Sequence, residues 1–198
     1  MVLAVSRSAS RVAMASLAAA LGSHDPYTRA HGERVAEVAA ALGVEVHLGI
    51  EQIEILRLAG LVRDIGKLGV PDDILLKPGD LSAAERTSVE RHPETAAAIL
   101  RPLRGAAKVA EVVLSHHECP DGSGYPRGLR NSEILPEAQL LRVADVFCSL
   151  VDARPYKPAL SPATVLTMME TMAGTKLNAD GLRALQTLVQ RGELPPAR

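Results

Sequence analysis

Aromatic residues are almost missing from this chain: one Phe, three Tyr and no Trp occur among 198 residues. The core must therefore be built from Ala, Leu, Val and Ile, a palette that suits packed helices. Excess charge is missing too, since the formal net charge is -1, and this removes the electrostatic case for a dedicated DNA or RNA binder. Two cysteines, Cys119 and Cys148, cannot form a disulfide framework, and they point to a reducing compartment, the cytoplasm. No stretch approaches the ~20 apolar residues a membrane span requires. The Ala-rich start "SRSASRVAMASLAAALG" loosely imitates a signal peptide, but it ends in a helix-stop Gly22 and reads better as a helix covering the domain's flank. What is present, 47% hydrophobic and 23% charged residues, is the balance of a folded chain long enough for one sizeable core.

Helix signals recur and strand signals do not. Residues 9–21 read as helix. Asp25-Pro26 looks like an N-cap followed by proline at the first helical position, opening a second helix that stops at Gly43. A third covers about 46–64, with Ile50, Ile53, Leu58, Leu61 and Val62 as its expected buried face. Ser82 to Glu85 has capping-box spacing and starts a helix to about His92, Pro93 starts another, and 106–117 forms a further one. Residues 119–133 are dense in Gly and Pro and must be loop. Helices over 136–152, 162–173 and 179–191 close the chain. The fold class is all-α, one compact domain of about seven to nine helices.

Within these helices sit polar residues that burial should exclude. In "LVRDIGK", residues 61–67, an apolar run stops at Arg63-Asp64. Asp145 lies in the oily "LLRVADVFCSL" and needs a cation or several donors. His31, His92, His116 and His117 sit at helix ends or beside apolar runs. Each alone reads as a satisfied structural residue. The adjacent His116-His117 pair is harder to dismiss, and spacing leaves a metal site and a set of structural histidines as alternatives. A mixed His and carboxylate set suits Fe, Mn or Zn, not Ca or Mg.

"DIGK", the His92-Pro93 pair, "HHECPDGSGYP", "VADVF" and "RPYK" occur in one order. In these motifs, over about residues 24–190, the chain resembles the HD-GYP family of metal-dependent phosphohydrolases, which hydrolyse the bacterial second messenger cyclic di-GMP. The resemblance implies an HD-type helical domain over 24–198, preceded by an N-terminal helix within 1–23. It implies one or two divalent transition-metal ions, Fe or Mn ahead of Zn, with Asp64 bridging. One ion would be held by Asp64, His92, His116 and His117. The other would be held by His31, Asp64, Asp145 and the histidine of the family's His-Asp pair. Asp64 and Lys67 would serve catalysis, with Lys67 beside the attacked phosphate. Gly124, Tyr125 and Pro126 would form the signature loop, with Arg154 and Lys157 as a ligand-binding basic pair. Implied partners are cyclic di-GMP or a related nucleotide and other cyclic di-GMP signalling proteins docking on the loop; a homodimer stays open.

Two positions depart from the family pattern. Tyr27 stands where three-metal members carry a carboxylate, so at most two ions are expected. Arg63 stands where the family has the histidine of its name-giving pair, and His24-Asp25, which reads as a helix cap, is no substitute. Arginine cannot ligate a metal. At ~4 Å and an effective dielectric of about 20, unit charges interact by roughly 4 kcal/mol, and a dication about doubles the repulsion. Either Arg63 turns away, or its guanidinium takes the first ion's place and forks onto Asp64 or Asp145. The expectation is a phosphodiesterase slowed by Arg63; the alternative is a degenerate domain that senses cyclic di-GMP or docks partner proteins. For the remainder, Cys119 reads as an incidental loop thiol, Cys148 as a small helix packer and His47 as a solvated residue. "ERTSVER" reads as an exposed face, and the methionines of "TMMETM" (167–172) as core filler.

Overall fold

Ser82, Ser161 and Asn178 each place a side-chain oxygen on the amide three residues ahead, and each opens a helix there. At Ser82 the box is reciprocal, because Glu85 Oε2 accepts the Ser82 amide at 2.7 Å. Proline supplies the other starts, at His92-Pro93, Pro136 and Pro162, where its missing N–H costs nothing. The computed structural model describes residues 11–20, 26–152 and 160–195, with the side chains of 26–28 outside this description. The expected roles of Tyr27, Arg154, Lys157 and the His24-Asp25 cap thus lie outside the described residues.

Residues 11–20 form α1. Then follow α2 (Pro26–Glu45), α3 (Ile50–Val62), a 3-10 turn (Ile65–Gly69), α4 (Asp72–Leu75), α5 (Ala83–Glu90), α6 (His92–Leu100) and α7 (Ala107–Ser115). After the Gly- and Pro-rich loop and a short 3-10 turn (Asn131–Glu133) come α8 (Pro136–Val151), α9 (Pro162–Glu170) and α10 (Ala179–Arg191). The domain is all-α: among the described residues only two isolated bridges occur, Asp121 with Arg130 and Ala173 with Leu177. No helix of the described residues is long and apolar enough to cross a membrane.

α2 lies against α3 and α8, α3 reaches α7, and α6 packs on α7 and on the 3-10 turn. Between them runs one aliphatic core from Met14 of α1 to Leu188 of α10, with Phe147 its only aromatic member among the described residues. The polar centre lies where the exit of α3, the start of α6 and the end of α7 meet the middle of α8.

Five expectations need correction. α2 does not stop at Gly43, which is buried: a Cβ there would lie 2.9 Å from Leu56 Cδ1, so this glycine serves the α2–α3 contact. The stop is His47, in the left-handed region at φ 58, with Leu48 N–H returning to Gly43 O at 2.9 Å in a Schellman arrangement. That turn consumes 46–48, so α3 starts at Ile50 rather than near 46, and its buried residues are Leu56, Ala59, Gly60 and Val62. Ile50, expected inside, is 81% exposed. Cys119 is buried rather than an incidental loop thiol, while Cys148 packs in α8 as expected. In "TMMETM", Met169 fills the core but Met168 is exposed. The short α4 had no apolar period to announce it.

A candidate metal centre shared with an arginine

Arg63 caps α3, Asp64 opens the 3-10 turn, and that turn packs against α6. A Cβ on Gly66 would lie 1.9 Å from the His92 carbonyl oxygen, so glycine is what lets this turn sit so close. That seat brings Asp64 Oδ1 to 3.9 Å from His92 Nε2. His116 caps the C-terminal end of α7 and the chain turns through His117, their ring centroids 4.0 Å apart. The His92 ring stands 5.4 Å from His116 and 5.0 Å from His117. One nitrogen from each of the three imidazoles lies within 4.8 Å of the others.

Tautomers follow from the backbone. His92 Nδ1 donates to Val89 O at 2.8 Å and His116 Nδ1 donates to Val113 O at 2.6 Å. A carbonyl only accepts, so the proton sits on Nδ1 and Nε2 carries a bare lone pair. Both Nε2 atoms are buried with no hydrogen-bond partner. A buried unsatisfied polar atom costs roughly 1–3 kcal/mol, and this carbonyl-held tautomer is the one that metal-binding histidines adopt. With His117 and Asp64 beside them, these residues fit a divalent transition metal.

The other half of the centre is closed. Arg63 is 2% exposed, and its Nη2 lies 2.9 Å from both Asp64 Oδ2 and Asp145 Oδ1. Its Nε donates to Asp145 Oδ1 at 3.1 Å and its Nη1 to Gly60 O at 2.8 Å. The guanidinium thus sits between the two aspartates, as the forked alternative expected. His31 Nε2 meets Asp145 Oδ1 at 3.3 Å, and its Nδ1 meets Asp152 Oδ2 at 3.1 Å. Arg34 holds the other Asp152 oxygen. Lys67 Nζ closes the far end on Asp64 Oδ1 at 2.7 Å.

These contacts set the charges. Burial is the largest single effect and would raise Asp64 and Asp145, but Arg63 acting together with Lys67 at Asp64, and with a His31 hydrogen bond at Asp145, overrides it, and both stay well below the usual carboxylate range. Burial pushes His92 and His117 below the ordinary imidazole value and His116 down to about 3, with neighbouring imidazoles adding to the shift at His116 and His117. For all five groups the unfolded chain takes up the proton first, so their stabilisation is present at neutral pH and drains on acidification. Metal-free protein is expected to lose thermal stability as pH drops below about 6.5, and faster below about 4 as the aspartates join. A melting midpoint at pH 5 equal to that at pH 7.5 would contradict this.

A family model described as HD domain matches residues 15–181. The chain belongs to the HD-domain family. Among curated relatives, the 3'3'-cGAMP-specific phosphodiesterase 1 of Vibrio cholerae is 41% identical over 143 residues, 72% of this chain and 33% of that protein. The cyclic di-GMP phosphodiesterase response regulator RpfG of Xanthomonas campestris is 37% identical over 166 residues, 83% of this chain and 44% of that one. This HD domain therefore spans less than half the length of either relative. These matches agree with the HD-GYP resemblance carried by "HHECPDGSGYP". The fold is shared with a solved cyclic GMP-AMP specific phosphodiesterase of V. cholerae at TM-score 0.69 and 18% identity, covering 93% of this chain and 49% of that one. It is shared as well with the HD domain of the Listeria monocytogenes phosphodiesterase PgpH, solved with cyclic-di-AMP, at TM-score 0.66 and 15% identity, covering 90% and 95%.

Within the HD domain, His31, Asp64, His92, His116, His117 and Asp145 all converge on this centre, with Lys67 at its edge and Tyr125 stacked on His117 at 4.8 Å between centroids. Gly124 lets the loop fold back, since a Cβ there would lie 2.4 Å from Cys119 N. Sequence reasoning missed four contributors. Glu118, 1% exposed, accepts the Arg127 and Leu129 amides at 2.7 and 3.0 Å and so holds the loop after Pro126. Arg34 and Asp152 form a buried pair behind His31, and Arg142 Nη1 stands 3.5 Å from His117 Nδ1. A helical spacing of three between Arg142 and Asp145 was a legible signal for the last; nothing in the sequence paired residues 34 and 152.

Proposed function

We propose that this chain is the phosphodiesterase module of a protein that hydrolyses cyclic dinucleotides, cyclic di-GMP first among them, at the three-histidine centre. The carrying observation is the pair of buried, unpartnered Nε2 atoms of His92 and His116, converging with His117 beside Asp64 and Lys67. The names of the curated relatives support the substrate class. His92, His116, His117 and Asp64 would hold the metal, iron or manganese ahead of zinc. When bound, it supplies Lewis acidity toward a phosphate oxygen and an acidified water.

The chain's own groups do the rest. The Lys67 ammonium, 31% exposed and anchored on Asp64, is placed to neutralise an incoming phosphate. Burial pushes the Tyr125 phenol up, so it stays a neutral donor beside His117. Gly124, Tyr125 and Pro126, ordered by Glu118, form the proposed nucleotide-facing loop and the surface for other cyclic di-GMP signalling proteins. Arg154 and Lys157 remain the proposed basic pair, 24–198 the proposed domain extent, and the cytoplasm the proposed compartment. Arg63 favours a second reading, a cyclic dinucleotide-binding module without turnover, because a guanidinium takes one cation position. Purified protein incubated with cyclic di-GMP and with 3'3'-cGAMP, with added Mn or Fe, separates them. Metal-dependent release of linear product is expected; saturable binding with no product would establish the sensor instead.

A further inference from the structure

The structure assigns to Arg63 the place of the second cation, so that this centre takes a single divalent ion, at His92, His116 and His117. The assignment concerns the same site as the proposed function and rests on its three-histidine half. The six residues expected to hold two ions fall into two unlike sets. His31 and Asp145 belong to a continuous chain of alternating partners that is buried up to its half-exposed end at Lys67: Arg34, Asp152, His31, Asp145, Arg63, Asp64, Lys67. Each link is a contact of 3.3 Å or less, and His31 turns both ring nitrogens to carboxylates rather than toward an open position. Arg63 presents Nε and Nη2 to the aspartates and spends Nη1 on the Gly60 carbonyl. All three guanidinium nitrogens are committed, so the side chain is caged there. A divalent ion between Asp64 and Asp145 would have to displace a charge that cannot be deprotonated and is almost fully buried.

The opposite set is only loosely partnered, with Arg142 Nη1 3.5 Å from His117 Nδ1. The Nε2 atoms of His92 and His116 are buried and unpaired, and the nearest carboxylate oxygen to His92 is Asp64 Oδ1 at 3.9 Å. Asp64 therefore faces both ways: Oδ2 to Arg63, Oδ1 toward Lys67 and the histidines. The centre is half ion pair and half metal site, with one aspartate joining them.

Manganese counting tests this without any turnover. Metal-free protein would be loaded with excess Mn(II), desalted and analysed, with the bound metal also read by electron paramagnetic resonance. The parent is expected to hold one ion per chain with the six-line signal of a lone Mn(II). Arg63→His is expected to hold two, with the signal of a spin-coupled pair. Two coupled ions in the parent would overturn the assignment, as would a folded Arg63→His that gains none. If the parent holds no ion while Arg63→His gains one, the three-histidine site fails, and both the proposed function and the single-ion count are overturned. Should Arg63→His not fold, the parent's stoichiometry and signal decide alone.

Discussion

Asp64→Asn is expected to cost about 3–5 kcal/mol of folding stability, because removing one partner of a buried ion pair strands the other charge. The stranded group is Arg63, 2% exposed, whose remaining carboxylate is Asp145. Asparagine keeps the shape and can still accept one hydrogen bond, so the loss measures charge rather than a cavity. Against a total stability of roughly 5–15 kcal/mol the change is large and should lower the urea midpoint visibly. A double-mutant cycle sharpens the reading. Arg63→Met removes the other partner, and the pair Arg63→Met with Asp64→Asn should be less damaged than the sum of the two single changes. A loss under about 1 kcal/mol for Asp64→Asn alone would mean that water or a relaxed neighbour compensates Arg63, and the caged-cation account would fail.

His116→Leu should separate function from stability. The imidazole is fully buried, and its Nε2 has no partner, so an apolar group of similar size relieves a standing penalty of about 1–3 kcal/mol. The lost Nδ1 bond offsets part of this gain, although Val113 O still accepts the His116 amide at 3.5 Å. Metal-free His116→Leu is thus expected to melt no lower than the parent, and up to about 1 kcal/mol more stable. Its metal affinity should fall by at least ~100-fold, since even losing an outer-shell partner costs 10- to 100-fold, and turnover should fall with it. Retained manganese binding in the variant would remove His116 from the proposed ligand set. Such a residue, unfavourable for the bare fold and useful once a ligand arrives, is the usual sign of a site kept for function.

Local chemistry made much of the fold legible in advance. The Ser82 box, the prolines at 93, 136 and 162, and the apolar period of 179–191 announce their helices because capping and periodicity act over a few residues. The errors arose where a distant element intervened. Gly43 reads as a stop on its own, but Leu56 of α3 packs against it, and the stop moves to His47. Ile50 is a local exception: it reads as core by its period, but α3 starts only there and its buried residues begin at Leu56.

The candidate site divides along the same line. The sequence alone determined which donors exist: four imidazoles and two aspartates in family order, and an arginine that no metal can use. Whether that arginine turned away or replaced an ion was beyond it, because the answer depends on Asp145, 82 positions further on. Only the packing of α2 and α8 against α3 brings Asp145 within reach of Arg63 and sets Asp152 behind His31. Side-chain chemistry is written residue by residue. The pairing of charges is a property of the assembled core, where a buried carboxylate must take whichever cation the neighbouring helices deliver.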